Sequence, residues 1–538
     1  MKIKITGLCL LLTTLTYAQA PQLMWQSFFN GSLSGKDIAN AVVTDVAGNV
    51  YVTGRSYQTA NGGNFTTVKY NSNGEEQWVD HFNGTSTNGT NRGVKLILDK
   101  WENLYAVGTV SSNQGDIAMV KYNSAGVLWS KSYEPYWFGS ATDFGVDISA
   151  DTLGNIYAAG QITSLDGNLY DLYVLKCDSN GNKIYEDNYS SASGDDYTGG
   201  IAVTPAGNVF ALTNSFNFFG SATYDITTIN YLQDGAHNWF SSYNGSGDGT
   251  DYGISIKADA QNNQYVCGTS DEGVTNDMVM MKQNLYGTRL WTNTYNGTAN
   301  GNDTAITTAL LPNGFVAVTG RCRELVNGIT TPAMVTMVID SGTIVWTNKY
   351  YGTDNAGALP SQMITDEAGN IYVCGHEILN GGTKNGCIVK YDLTGNQLWA
   401  VSFDGGVNLD DAFTSLSLDK NGNIIATGQS FTSTTNSNYV IVKYQDIATG
   451  MTASIIPVTN QILLYPNPVV SGENIHLQTT LSLEATEYTI YNLLGEVIVS
   501  DITNGTYFKI PSSVPAGNYL LKIMLDGNSY YKKMVLTD

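Results

Sequence analysis

Basic residues and proline are scarce in this chain. Its 538 residues include 26 Lys and Arg against 47 Asp and Glu, a formal net charge of −21, and only 11 prolines. A chain this acidic cannot neutralise a run of phosphates, so nucleic acid is excluded as a main ligand. The length exceeds that of one ordinary domain. The 57 glycines and 42% hydrophobic content exclude a disordered chain and predict many short strands joined by tight turns.

Long apolar runs are also missing. No stretch approaches the roughly 20 uninterrupted apolar residues of a membrane-spanning helix, so we predict no transmembrane segment. The N-terminus carries Lys2 and Lys4, then a largely apolar run over residues 5–15, then small residues around Ala18. This order is typical of a secretory signal peptide, which we predict over residues 1–18.

Cysteine is scarce as well. The signal peptide contains Cys9, and the rest of the chain has five cysteines and no C-x-x-C pair. They are Cys177, Cys267, Cys322, Cys374 and Cys387. An odd number without metal-ligand spacing argues against a disulfide scaffold or a metal cluster. Cys374 and Cys387 could face each other across a hairpin, but we interpret the cysteines as buried free thiols.

A repeat of 52 to 55 residues fills most of the chain. Its clearest copies read Asp-x-x-Gly-Asn-x-Tyr-Val/Ala-x-Gly at 45–54, 151–160 and 366–375, and five divergent copies end at residues 108, 213, 268, 320 and 428. Each copy precedes an alternating strand that ends in Lys-Tyr or a variant, followed usually by a glycine turn and a tryptophan. About four short strands per unit are typical of a propeller blade, and eight units predict eight blades.

The aromatic residue after that turn predicts how the ring closes. Seven units carry it, as Trp78, Trp129, Tyr185, Trp239, Trp291, Trp346 and Trp399. The eighth unit has no aromatic residue there, whereas Trp25 near the N-terminus has the matching surroundings. We therefore predict that the N-terminal strand completes the last blade, which removes an open sheet edge. A solenoid, the alternative, needs end caps and leaves the displaced strand unexplained.

On these residues, the units resemble the bacterial β-propeller repeats called SBBP. The shared pattern is D-x-x-G-N-x-Y-V-x-G followed by a V-x-K-Y strand, and it recurs along residues 19–445. The resemblance implies an all-β, eight-bladed β-propeller and no defined activity.

The last part of the chain carries no such repeat. Residues 446–461 are predicted to form a linker, and alternating apolar runs with Pro, Gly and Asn turns over 462–538 predict a small Ig-like β-sandwich. Its motif residues are Tyr465, Pro466, Asn467, Pro468, Gly495, Gly517, Lys532 and Lys533. With these, the segment resembles the type A C-terminal sorting domain of the type IX secretion system of Bacteroidota; a generic adhesive sandwich is the alternative.

That second resemblance implies a route out of the cell. It implies contact with the type IX machinery, passage through the outer membrane and removal of the domain. The mature protein would then be attached to the cell surface or released.

Familiar catalytic motifs are absent from the sequence. There is no HExxH, G-x-S-x-G or Walker loop, and the four histidines are scattered. One polar position does recur, eight residues ahead of the first residue of the repeat in seven units. It is occupied by Asp37, Asn91, Asp143, Asp196, Asp251, Asp303 and Asp411. In the remaining unit, the one after Trp346, the register breaks, with Asp354 twelve residues ahead of Asp366 instead of eight.

These seven side chains have two interpretations. At the entrance of each innermost strand they could ring one mouth of the central channel and hold Ca²⁺, which takes 6–8 oxygen ligands, or bind polar groups of a substrate. Alternatively, they accept hydrogen bonds from nearby backbone amides and fix turns. Strict periodicity favours the structural interpretation.

We therefore expect a secreted or cell-surface monomer that binds polysaccharide or a surface protein and has no catalytic function. Binding would use the irregular loops 57–64, 134–140, 216–223 and 431–438 on one face. No cofactor is assigned, with Ca²⁺ the one candidate. The alternative is a glycan hydrolase or lyase that uses channel aspartates with a bound metal. An enzyme should carry two or three channel residues unlike those of the other blades, and the unit around Asp354 is the first place to look.

Overall fold

The chain is described here by a computed structural model that covers two compact units, Met1–Thr449 and Gly450–Asp538. It describes residues 20–33, 35–59, 62–84, 91–111, 116–133, 143–164, 169–191, 194–217, 223–446, 463–465, 469–478, 486–492, 497–503, 506–525 and 528–537. Over these ranges every regular element is a β-strand. The predicted signal peptide lies outside them, as does the predicted linker apart from Asp446.

The first unit contains 32 strands, which form eight four-stranded antiparallel sheets. The N-terminal strand is β1 (Gln22–Phe29). Blade 1 contains β2 (Ile38–Thr44), β3 (Val50–Thr59), β4 (Gly62–Tyr70) and β5 (Glu76–Phe82). Blade 2 contains β6 (Arg92–Leu98), β7 (Leu104–Val110), β8 (Asp116–Asn123) and β9 (Gly126–Tyr133). Blade 3 contains β10 (Phe144–Ala150), β11 (Ile156–Thr163), β12 (Tyr170–Cys177) and β13 (Lys183–Tyr189).

The remaining blades repeat this order. Blade 4 contains β14 (Asp196–Val203), β15 (Val209–Asn217), β16 (Thr223–Tyr231) and β17 (His237–Tyr243). Blade 5 contains β18 (Tyr252–Ala258), β19 (Gln264–Asp271), β20 (Asn276–Gln283) and β21 (Arg289–Tyr295). Blade 6 contains β22 (Thr304–Leu310), β23 (Val316–Val326), β24 (Ile329–Asp340) and β25 (Thr343–Tyr350). Blade 7 contains β26 (Ala358–Thr365), β27 (Ile371–Ile378), β28 (Lys384–Tyr391) and β29 (Gln397–Phe403). Blade 8 contains β30 (Asp411–Leu418), β31 (Ile424–Phe431), β32 (Ser437–Gln445) and the N-terminal β1.

The N-terminal strand closes the ring, as the sequence predicts. Strand β1 pairs antiparallel with β32 at the outer edge of blade 8. Trp25 on β1 then contacts blade 1, where its indole Nε1 donates to the carbonyl of Ser72 at 3.1 Å. A side chain at Gly74 would collide with the same ring, since a Cβ there would lie 2.6 Å from it. The eight-bladed all-β propeller is confirmed.

The Asp-x-x-Gly-Asn-x-Tyr motif forms the turn between the first two strands of a blade. In blade 1, Asp45 Oδ1 accepts the backbone N–H of Asn49 at 2.8 Å, and Oδ2 accepts the Asn49 side-chain amide at 2.7 Å and the Tyr51 hydroxyl at 3.0 Å. Gly48 within this turn has φ +82°, a conformation that glycine adopts without strain. One carboxylate therefore ties the turn to the strand that follows it.

Each innermost strand carries a β-bulge at the same position. The bulge residues are Asn40, Val94, Val146, Gly199, Ile254, Ile306, Ser361 and Thr414. At this point the second strand approaches very closely, and a Cβ at Gly54 would lie 2.0 Å from the Ile38 carbonyl oxygen. The bulge thus explains the glycine that ends the repeat motif, and it turns the following side chains toward the central channel.

The second unit is a two-sheet sandwich. Its strands are β33 (Leu463–Tyr465), β34 (Val469–Val470), β35 (Asn474–Gln478), β36 (Thr486–Tyr491), β37 (Val497–Thr503), β38 (Tyr507–Lys509), β39 (Gly517–Leu525) and β40 (Asn528–Thr537). The sheets have the orders β33-β35-β38 and β34-β40-β39-β36-β37. Both contribute to one core, in which Tyr488 and Phe508 stack with centroids 4.1 Å apart. The predicted sandwich is confirmed.

The motif residues of this unit are only partly described. Tyr465 ends β33, Gly517 begins β39, and Lys532 and Lys533 lie in β40. Pro466, Asn467, Pro468 and Gly495 lie outside the described residues.

The five cysteines of the propeller are free and buried. Cys387 pairs with Gly375 across β27 and β28, so Cys374, one residue away, points to the opposite face of the sheet. Cys387 packs in a core with Met363, whereas Cys374 packs in another core with Phe413. The two thiols are therefore not a disulfide pair.

Candidate functional site

The seven predicted site residues lie where the first strand of each blade begins, an end of the propeller called the entrance end below. All seven are buried. Asp251 is representative, because its Oδ2 accepts the backbone N–H of Gly245 and its Oδ1 that of Asp271, both at 2.8 Å. The other acceptors and their donors are Asp37 (Gly31 and Tyr57), Asn91 (Ser111), Asp143 (Thr163), Asp196 (Ser191), Asp303 (Gly297 and Arg323) and Asp411 (Gly405).

Burial governs the acidity of these carboxyl groups. Desolvation raises the pKa of Asp143 and of Asp196 to about 6, and the backbone amides oppose that rise. None of the seven residues lines the central channel. Among the described residues, no group of three or more His, Cys, Asp or Glu side chains could hold a metal ion. Binding of Ca²⁺ by the seven recurring residues stays a prediction, and the chelation experiment in the Discussion tests it.

Blade 7, which has no Asp or Asn at this position, contains an acceptor that the sequence pattern did not reveal. Blade 7 has Ala358 at the recurring position, and Ala358 pairs across the sheet with the fully buried Glu377. Glu377 Oε2 accepts the backbone N–H of Thr353 at 2.8 Å, and Oε1 accepts the Thr353 hydroxyl at 3.0 Å. A search of the position paired across the sheet would have found it. Asp354 is exposed, and its Oδ2 accepts the backbone N–H of Asn380 at 3.0 Å.

The central channel is a cavity of about 790 Å³ lined by the first strands of all eight blades. Just after the bulge, six blades present small or neutral polar residues, namely Ala41, Gly200, Ser255, Thr307, Gln362 and Ser415. Blades 2 and 3 instead carry Lys95 and Asp147, and Lys257 lies two residues further along the first strand of blade 5. Lys95 Nζ lies 3.7 Å from Asp147 Oδ1. Three charged residues therefore break the symmetry of the channel. None of them lies in blade 7, the unit around Asp354 where the asymmetry was expected.

A second asymmetric feature is a cluster of tyrosines at the entrance end of blades 4 and 5. Tyr252 is the first residue of the first strand of blade 5, and Tyr197 and Tyr224 are the second residues of the first and third strands of blade 4. The Tyr224 and Tyr252 rings stack at 5.6 Å with an interplanar angle of 23°, and Tyr197 lies 5.3 Å from Tyr224. All three rings are half-buried. We call these residues, together with Asp195, the tyrosine cluster.

Asp195 is the carboxylate of the tyrosine cluster. Its Oδ2 accepts the hydroxyls of Tyr197 at 2.9 Å and Tyr224 at 3.3 Å, and its Oδ1 accepts the backbone N–H of Tyr170 at 2.8 Å. Desolvation, followed by the bond to Asp195, raises the pKa of Tyr197, so its phenol stays protonated and donates. Phe216, in the predicted loop 216–223, packs on Tyr224 with centroids 5.4 Å apart.

The sequence analysis did not predict this cluster. At the position of Tyr197, blades 1, 6, 7 and 8 carry Ile38, Thr304, Leu359 and Ala412. The available signal was a run of aromatic residues that departs from the repeat at one position in neighbouring units.

Fold and tail together define an exported β-propeller protein. Residues 463–537 match the family model of the secretion system C-terminal sorting domain. The tail directs the chain to the type IX secretion machinery, and the protein is secreted or held at the cell surface after the tail is removed. No helix in the described ranges is long and apolar enough to cross a membrane.

Among solved structures, the chain is similar to several distant β-propeller and surface proteins. No curated protein is similar enough in sequence to match this chain. A protein of unknown function from Bacteroides caccae is 14% identical, with a TM-score of 0.33, over 58% of this chain and 97% of that one. PorZ, a surface component of the type IX secretion system of Porphyromonas gingivalis, is 12% identical, with a TM-score of 0.31, over 96% and 86%.

A third structure is the β-propeller domain of the Trilobed protease from Pyrococcus furiosus. It is 10% identical, with a TM-score of 0.35, over 71% of this chain and 94% of that one. At these identities and TM-scores, the three similarities assign no function to this chain.

Proposed function

We propose that the protein is a cell-surface binding module that holds polysaccharide on the tyrosine cluster and catalyses no reaction. The observation that carries the proposal is the half-exposed set of Tyr197, Tyr224 and Tyr252 around Asp195. A tyrosine presents an apolar ring face and a polar tip, which matches the apolar ring faces and equatorial hydroxyls of sugars. Binding sites of this kind combine aromatic walls with a few well-oriented polar groups.

The cluster also has a suitable location. It lies at the entrance end, where the loops that join strands of different blades give each blade its individual character. Phe216, near the end of the second strand of blade 4, extends the aromatic surface. Export to the cell surface brings this end of the propeller into contact with extracellular glycans.

Binding without catalysis is favoured by the carboxylates near the cluster. Glycoside cleavage generally uses two carboxyl groups that flank the scissile bond. Asp195 is the carboxylate that bonds to the tyrosine hydroxyls, whereas the neighbouring Asp196 turns into the blade and accepts the N–H of Ser191 at 2.6 Å. One available carboxylate can orient a sugar but does not form the required pair.

A glycan array with the mature full-length protein tests the proposal. Wild type should bind a subset of polysaccharides, and Tyr197→Ala should lose most of that signal. Tyr286→Ala is the matched control, because Tyr286 is 76% exposed in a turn at the opposite end of blade 5. A blank array, or equal signals from wild type and Tyr197→Ala, would contradict the proposal and favour a protein partner.

A further inference from the structure

The charges inside the channel do not balance. Three charged side chains line it, namely Lys95, Asp147 and Lys257, which leaves a net charge of one positive unit in a strongly acidic protein. The surrounding positions, such as Ser255 and Thr307, are neutral and small. Nothing in the repeat requires charge here, because six blades have none just after the bulge.

Lys257 has no carboxylate partner among the described residues. No Asp or Glu oxygen in the described ranges lies within 4.0 Å of its Nζ, and its Nζ donates no hydrogen bond to a residue of those ranges. The Lys257 side chain is exposed and lines the channel. Desolvation and the nearby Lys95 charge lower the pKa of Lys257, and Asp147 only partly opposes them. An anion bound in the channel would oppose both effects, because a nearby negative charge stabilises the protonated ammonium group.

Asp147 accepts other hydrogen bonds, so its carboxylate does not fully compensate the charges of Lys95 and Lys257. Its Oδ2 accepts the backbone N–H of Ile201 in blade 4 at 3.1 Å, and its Oδ1 accepts the N–H of Ile148 at 3.0 Å. The contact of Oδ1 with Lys95 Nζ at 3.7 Å is longer than a hydrogen bond. Asp147 thus joins two first strands and leaves donor capacity on both lysines.

We propose that the channel is a binding site for an oxyanion, a sulfate or carboxylate group held between Lys257 and Lys95. Lysine ammonium groups bind such oxygens as compact point charges with rotatable donors. The hydroxyls of Ser255 and Thr307 line the same cavity and add further donors. A volume of about 790 Å³ admits a ligand as large as an acidic monosaccharide. This site is separate from the tyrosine cluster and does not depend on its function.

The test measures thermal midpoints of the mature full-length protein in sodium sulfate and in sodium glucuronate. Sodium chloride at equal ionic strength and glucose at equal concentration are the references. Wild type should show a saturable rise with at least one of the two anions, because a ligand that binds only the folded state stabilises it. A response to sulfate alone would identify an inorganic oxyanion site, and a response to glucuronate alone a sugar-acid site.

Variants separate the site from general salt effects, since sulfate stabilises most proteins without binding a site. Lys257→Met and Lys95→Met should each weaken binding at least tenfold in a calorimetric titration. Lys420→Met, in an exposed turn, should bind as wild type does. If Lys257→Met proves too unstable, Lys257→Gln takes its place. The proposal is overturned if neither anion gives a saturable rise, or if the lysine variants respond as wild type does.

Discussion

Ala358 and Glu377 are paired across strands β26 and β27, and Glu377 supplies the carboxylate that Ala358 lacks. In the seven other blades an Asp or Asn at the start of the first strand accepts N–H groups from the loops at the entrance end. In blade 7 that acceptor has moved to the second strand. It reaches the same kind of loop because paired residues on neighbouring strands point to the same face.

This exchange predicts a compensating pair of substitutions. Glu377→Ala should lower the free energy of unfolding by about 1–3 kcal/mol, because the buried Tyr350 hydroxyl and the Thr353 amide lose their acceptor. Adding Ala358→Asp to Glu377→Ser should recover part of that loss. Denaturant unfolding measures both effects, with the exposed Glu367→Ala as the control. Equal free energies of unfolding for Glu377→Ala and the control would contradict stabilisation of the fold by the hydrogen bonds of Glu377.

The acidity of Asp143 predicts a pH dependence of stability. Burial raises the pKa of Asp143 to about 6 in the folded protein, against roughly 3.9 when unfolded. The folded state therefore binds more protons than the unfolded state between about pH 4 and pH 6. The stabilisation that protonated Asp143 contributes is full below pH 4 and is lost as the pH rises through 6.

Asp143→Asn should remove that dependence. Asn91 shows that an amide can fill this position and accept a loop N–H, at 2.6 Å from Ser111. Relative to wild type, the free energy of unfolding of the variant should be higher by about 1–3 kcal/mol at pH 7.5 and unchanged near pH 4. Denaturation midpoints across this range, with Glu367→Gln as the reference, measure the difference. A gain that is the same at both pH values would refute the assigned cause.

Closure of the ring predicts a specific role for Trp25. Its indole spans the junction of blades 8 and 1 through the bond to Ser72 and the contact with Gly74. Trp25→Ala should lower the thermal midpoint and promote self-association, because a loosened β1 exposes the edge of β32. Light scattering during heating detects both. The neighbouring Met24, 49% exposed, provides the control Met24→Ala, and identical behaviour of the two variants would argue against closure by this contact.

Metal removal distinguishes the two interpretations of the recurring acidic position. Because the oxygens of Asp251 and Asp303 accept loop amides, we expect a calcium chelator to leave the thermal midpoint of the mature protein unchanged. A fall in the midpoint on chelation that added Ca²⁺ restores would support the metal ring instead.

Much of the propeller was predictable, because its features repeat. Eight motif copies predict eight blades, and the displaced Trp25 predicts the closing strand. The features that break the repeat were harder to find. Glu377 acts from a different strand than its counterparts. The bulges shift which residues face the channel, so Lys95, Asp147 and Lys257 did not stand out as neighbours.

The tyrosine cluster could not be predicted for a related reason. Tyr197, Tyr224 and Tyr252 come from three strands in two blades, and only the packing of those blades brings the ring of Tyr252 within 5.6 Å of Tyr224 and 6.4 Å of Tyr197. Sequence spacing reports position within one blade, and it contains no information about which side chains meet between neighbouring blades.

The most direct test of the central claim is the dissociation constant of a polysaccharide that the glycan array identifies, measured by calorimetry for wild type and Tyr197→Ala. The account predicts at least a tenfold increase for the variant, about 1.4 kcal/mol, while the thermal midpoint shows that the variant remains folded. Equal dissociation constants for two folded proteins would contradict binding at the tyrosine cluster.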